Sequence, residues 1–208
     1  MRIPRRVEEA SPARLVTWGA RAAVVGGSLS VLVGVLVLVN PGYYTFESPP
    51  DLLVPVAEAV ALLAILAGLA GLHLSQKEVY GRLGRAGYLM SSVGLAMAGA
   101  GHLIGLPFFV FVNTGGMAYV LIGLLQSIPL VWGTIYVLGA LILSVGLGLL
   151  GAATLKARTL PFWCGPVLIA GLVALWTLGN FGGWVSFGLA WIAVGQALRT
   201  VSRPARVV

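Results

Sequence analysis

The sequence predicts an all-α fold: a polytopic helical membrane bundle of six transmembrane helices, with both termini in the cytoplasm. Three observations predict it. The chain is 59% hydrophobic and 9% charged, with a mean hydropathy of +0.98. A soluble domain carries roughly 25% charged residues, and in water this composition would expose apolar patches larger than monomers tolerate. The apolar residues also fall into runs of about 20, the length a helix needs to cross roughly 30 Å of hydrocarbon. Finally, all 13 Lys and Arg residues lie in segments 1–21, 75–86, 156–158 and 199–208. A chain crossing six times puts those four segments on one side, and the loops on the other side hold no cation.

Residues 1–21 form a basic cytoplasmic segment with Arg2, Arg5, Arg6, Arg14 and Arg21. Within it, residues 8–21 are expected as a short interfacial helix with Leu15, Val16 and Trp18 toward lipid. The first span is expected at 22–39. An arginine-rich start before an apolar run also resembles a signal peptide. That reading is rejected, because the run has full span length and Asn40-Pro41-Gly42-Tyr43-Tyr44 lacks a small-x-small cleavage site. The loop at 40–51 carries Glu47 and Asp51, and span two follows at 52–74.

A basic loop with Lys77, Arg82 and Arg85 leads to span three at 87–106. That span is expected to close at Pro107, which cannot continue the helical hydrogen-bond ladder without a kink. Residues 108–128 are uncharged but broken by Asn113-Thr114-Gly115-Gly116, and 117–126 is too short to span. This stretch is expected to lie in the interface or fold back. Counting it as a seventh span would put Arg158 and Arg199 outside. Span four is expected at 128–153, span five at 160–178 and span six at 184–198, followed by a basic tail, 199–208. The transmembrane domain is therefore 22–198.

Basic turns precede spans one, three and five, so the chain reads as three helix pairs. Repeat-built transporters have such symmetry, but any chain obeying the positive-inside pattern shows it too. Small residues at spacings of three and four predict the packing seams, since helices in lipid associate through close backbone approach. They are Gly26, Ser30 and Gly34 in span one; Gly94, Ala98, Gly101 and Gly105 in span three; and Ala140, Ser144, Gly148 and Gly151 in span four. Trp18, Tyr80, Tyr88 and Trp163 are expected in an inner interfacial belt, and Tyr43, Tyr44, Trp176 and Trp184 in an outer one.

Few residues offer chemistry. Glu58 is the only acid inside a span, and a carboxylate in hydrocarbon costs several kcal/mol unless protonated or paired. It lies about 9 Å along the helix from the outer end of span two, while His102 lies about 7–8 Å from the outer end of span three. Sharing a depth, the two are the candidate intramembrane polar site: a facing pair, or two walls of one cavity. The bland alternative is a protonated Glu58 with His102 bonded to a backbone carbonyl. His73 is expected to meet head groups or cap terminal carbonyls. Asn180 and Gln196 are expected as hydrogen-bond glue.

No catalytic, cofactor-binding or metal residues are assigned. The single Cys164 excludes an intramolecular disulfide, a CxxC centre and multi-cysteine metal sites. No histidine follows His102, which removes a rhomboid-like protease, and Asp51 is the sole aspartate, which removes the aspartyl proteases. The net charge of +7 does not indicate nucleic acid, because the cations flank apolar runs instead of alternating with aromatics. Their expected partners are anionic lipid head groups.

Gly71-Leu72-His73-Leu74 with Tyr80-Gly81-Arg82-Leu83-Gly84-Arg85-Ala86-Gly87-Tyr88-Leu89 resembles a recurring segment of uncharacterised prokaryotic multi-span membrane proteins. Gly151-Ala152-Ala153-Thr154-Leu155 with Leu160-Pro161-Phe162-Trp163 is similar to another. The resemblance covers about a fifth of the chain. It implies a bacterial-type helical bundle with a short basic loop between spans two and three, and carries no activity.

The sequence thus leads to a non-enzymatic, accessory or scaffold-like protein of the inner (plasma) membrane, with a homo-oligomer or an unknown membrane protein as possible partner. A small transporter or channel for a neutral or weakly charged solute, gated by Glu58 and His102, comes second. A lipid- or quinone-linked enzyme comes third.

Overall fold

The computed structural model describes residues 12–39, 49–113 and 127–202, and these are almost entirely helical. In chain order the helices are α1 (Pro12–Val39), α2 (Pro49–Gln76), α3 (Gly81–Asn113), α4 (Ser127–Ala157), α5 (Cys164–Thr177) and α6 (Gly179–Ser202). Three of them, α1, α2 and α4, are long and apolar enough to cross a membrane. α5 is apolar but has 14 residues, about 21 Å of helix. The expected fold-back at 117–126, along with Gly105 and the belt residues Tyr43 and Tyr44, lies outside the described residues or side chains.

Each helix packs on its neighbour in sequence, and α6 returns to α1, so the six form a closed ring. Every neighbouring pair is antiparallel, as paired contacts show. Gly19 meets Gly71 while Gly26 meets Ile65 across α1 and α2, and Gly87 meets Leu150 while Gly94 meets Leu143 across α3 and α4. Gly27 meets Gly188 while Ala20 meets Gly195 across α1 and α6. An even number of alternating helices brings the start of α1 and the end of α6 to one end of the bundle. The α2–α3 and α4–α5 turns share that end, so Arg14, Arg21, Lys77, Arg82, Arg85, Lys156, Arg158 and Arg199 gather there.

Glycine sets the spacing. A Cβ on Gly94 would stand 2.4 Å from the Leu143 nitrogen, and one on Gly146 would stand 2.4 Å from that of Ser91. No side chain fits between backbones this close. The α3 stripe of Gly94, Ala98 and Gly101 therefore packs against α4 as expected. Of the α4 stripe, Ser144 and Gly151 pack on α5 and so form a seam, whereas Gly148 faces open space. The α3-facing seam of α4 is a different set, Gly139, Leu143, Gly146 and Leu150. Spacing identifies a small-residue stripe, but the helix's rotation decides which neighbour it meets.

Two further expectations are corrected. The separate interfacial helix at 8–21 does not form over the described part, because α1 runs unbroken from Pro12 to Val39. Ala13, Ala20, Ala22 and Ala23 favour continuation, and no proline intervenes. α3 does not close at Pro107 but continues to Asn113. A proline in a helix loses one backbone bond, and apolar surroundings tolerate this where neighbouring groups re-satisfy the freed carbonyl.

Residues at the turns bear the backbone cost. Gly81 and Gly179 open α3 and α6 at φ +64° and +66°, where glycine meets no steric penalty. Arg158 takes the same left-handed conformation after α4, at φ 53°, in a place that helices usually give to glycine.

Candidate functional site

Glu58 stands nine residues into α2 and is buried, placed by a helix that packs on α1 through Ala61, Ile65, Gly68 and Gly71. α3 runs the other way, with Gly99 against Leu62, so His102 arrives at the level of Glu58. His102 Nδ1 and Glu58 Oε2 are 3.0 Å apart, and the two side chains are 9% and 2% exposed. Of the arrangements that the sequence leaves open, the structure has the facing pair. At this separation a proton lies between the two atoms. Tyr136 of α4 meets the His102 ring edge-on at 5.1 Å, and Trp184 of α6 lies 6.5 Å from it. Side chains of four helices converge.

The pair is only half satisfied. Glu58 Oε1 and His102 Nε2 are buried and have no hydrogen-bond partner among the described residues. A buried polar atom left unpaired costs about 1–3 kcal/mol, more if charged; both atoms are open to a small polar group, and Gln76 Nε2 and Trp191 Nε1 are likewise buried without a partner among the described residues. Glu58 and His102 offer two ligands toward a metal, and no third His, Cys, Asp or Glu joins them among the described residues. The arrangement suits hydrogen bonding to a small polar molecule, with the carboxylate and imidazole acting as a proton-exchanging couple.

Toward the basic end the interior is filled. Trp184, Phe187 and Trp191 follow one another down α6 in edge contacts of 6.4 and 6.3 Å. Trp191 is fully buried, as are Leu69, Leu95 and Leu147 of the facing helices.

A second polar group closes that end. His73 Nδ1 bonds the Tyr80 hydroxyl, and its ring stacks on Tyr88 at 4.0 Å. Thr154 donates to Gln76 Oε1 at 3.1 Å, tying α4 to α2. Tyr80 is tucked inward over Gly84, whose missing Cβ leaves room for the ring. His73 therefore meets tyrosines, not head groups, and Tyr80, Tyr88 and Trp184 face inward instead of joining the interfacial belts. Trp18 and Trp176 are exposed, and Trp176 donates to Ser144 at 2.8 Å. Gln196 lies exposed on α6, and the Asn180 side chain lies outside the described ones.

Sequence reasoning missed Tyr136 and the inward turn of Trp184. The available signal was depth: Tyr136 is nine residues into α4, as Glu58 is into α2. No protein-family model matches the chain, and neither the curated proteins nor the solved structures contain a match to it.

Proposed function

We propose that this chain is a six-span protein of the inner (plasma) membrane that passes or binds a small neutral or weakly charged solute, with Glu58 and His102 as its polar gate. The observation that carries this reading is the inward, desolvated pair with one unpartnered atom on each member. A bundle serving only as a scaffold has no use for an acid that is costly to bury, and intramembrane acids mark solute and proton paths.

Apolar length supports α1, α2 and α4 as spans, and packing adds support for α3 and α6. α3 lies between the candidate spans α2 and α4, and α6 runs along α1 from Ala20 to Val31. Helices so paired share a depth. The cationic end is assigned to the cytoplasm, and the acidic loop at 40–51 to the opposite side. A thiol placed by Arg158→Cys in a Cys164→Ala background, if labelled from the periplasmic face, would overturn the orientation.

The accessory-bundle reading is second, favoured by the filled interior around Trp191 and Leu147. Solute flux in liposomes separates the two. Wild type is expected to exceed empty vesicles for at least one member of a panel of neutral and weakly charged solutes, and Glu58→Gln to abolish the excess. Wild-type flux equal to that of empty vesicles across the panel would sink the gate and leave the accessory role.

A further inference from the structure

The outer face of α1 carries an organised cationic feature that the gate does not use. Arg14, Trp18 and Arg21 are spaced by four and three, so they share one helix face. All three are exposed, and Trp18 is 66% so. The Arg21 guanidinium lies over the Trp18 ring, 5.4 Å from its centroid, which holds the charge in place. With Ala13 and Thr17 these side chains bound a shallow depression of about 390 Å³. Neither arginine is paired with a carboxylate among the described residues.

A second observation points to what occupies it. The same face continues down the helix through Val25, Ser28, Leu32, Val35 and Val39, again at spacings of four and three, and every one is exposed. Two cations and an indole thus stand at the head of an unbroken, mostly apolar track. That order matches a phospholipid lying along a helix, with its phosphate at the arginines, its glycerol region beside the indole and an acyl chain along Val25, Ser28 and Leu32, about 16 Å of helix from Arg21 and so half the hydrocarbon core. Free phosphate would need the cations but not the track.

We infer that Arg14, Trp18 and Arg21 form a specific site for one anionic phospholipid of the cytoplasmic leaflet. The inference rests on the membrane reading above but not on the gate. Guanidinium groups suit a phosphodiester because their paired N–H donors match two phosphate oxygens. Tryptophan suits the head-group level, where one edge of the ring is wet and the other is not.

The test uses the full chain in vesicles of zwitterionic phosphatidylcholine with one-fifth phosphatidylglycerol. The protein is then extracted in mild detergent, and its retained lipid is counted by native mass spectrometry. Wild type is expected to keep one phosphatidylglycerol. Arg14→Gln/Arg21→Gln is expected to bind it roughly thirtyfold more weakly, as two arginine contributions near an anionic surface predict. Arg82→Gln/Arg85→Gln, which removes the same charge from the same end, is expected to retain it.

Equal loss in both double variants would show a diffuse charge effect and overturn the site. Displacement by millimolar inorganic phosphate as effective as by phosphatidylglycerol would reassign it to free phosphate and overturn the lipid. Failure of wild type to float with vesicles at all would instead bring down the membrane reading, and is distinguishable from membrane association without lipid selection.

Discussion

Two polar groups sit inside the same ring of helices, one toward each end, and they are built differently. At the basic end, His73, Tyr80, Tyr88, Gln76 and Thr154 engage one another, tying α2 to α4 and folding the α2–α3 turn inward. At the other end, Glu58 and His102 bond each other and leave an atom each unpaired. The first group uses polar atoms as struts. Both keep buried hydrogen-bonding capacity in reserve, Gln76 Nε2 in the first and Glu58 Oε1 with His102 Nε2 in the second. Each has a histidine beside aromatic rings, so neither the histidine nor an unpaired atom separates them. The carboxylate does, since only the second group buries an acid.

Substitutions can break that distinction or sharpen it. The largest effect is expected on flux: Glu58→Gln keeps the shape of the pair but loses the acid, and should reduce solute movement at least about tenfold, as expected of an intramembrane carboxylate. Tyr80→Phe, at the other end, should leave flux unchanged. If Tyr80→Phe impairs flux as strongly, the strut description is wrong.

Stability comes next. His102→Ala strips the partner from a buried acid and should cost about 3 kcal/mol, whereas replacing both residues by leucine should cost far less. Cys164 is fully buried, so its reaction with a thiol dye during heating reports unfolding without an added label. Equal melting points for His102→Ala and wild type would mean that Glu58 gains nothing from its neighbour. Thr154→Val, measured in the same way, should cost about 1–3 kcal/mol by leaving Gln76 without its bond to α4.

The smallest expected effect is a gain. Arg158→Gly relieves the left-handed backbone after α4 and should stabilise by about 1 kcal/mol. A loss would mean that the arginine side chain contributes more than its conformation costs.

Hydropathy and charge predict how far along its helix a residue lies, and counting 1.5 Å per residue put Glu58 and His102 at one level. They do not predict which way a side chain points. Trp184 and Tyr80 were therefore expected in belts by their depth, yet both turn inward because Gly183 and Gly84 let their helices and rings pack closely. The α4 stripe shows the same limit: spacing picks out Ser144 and Gly151 as seam residues but not that their neighbour is α5. Pro107 shows a different gap: the backbone bond that a proline loses is known from the sequence, but whether the helix stops there is not.

Ring closure through α1 and α6 has a consequence for how the molecule is made. A ribosome delivers α1 first and α6 last, so the backbone groove around Gly27, shaped to receive Gly188, waits uncovered while five helices are threaded. Sealing it is the final act of assembly. A polypeptide stalled before residue 179 would keep that groove open, ready to accept the late helix of a full-length copy, whose own groove would then stand uncovered.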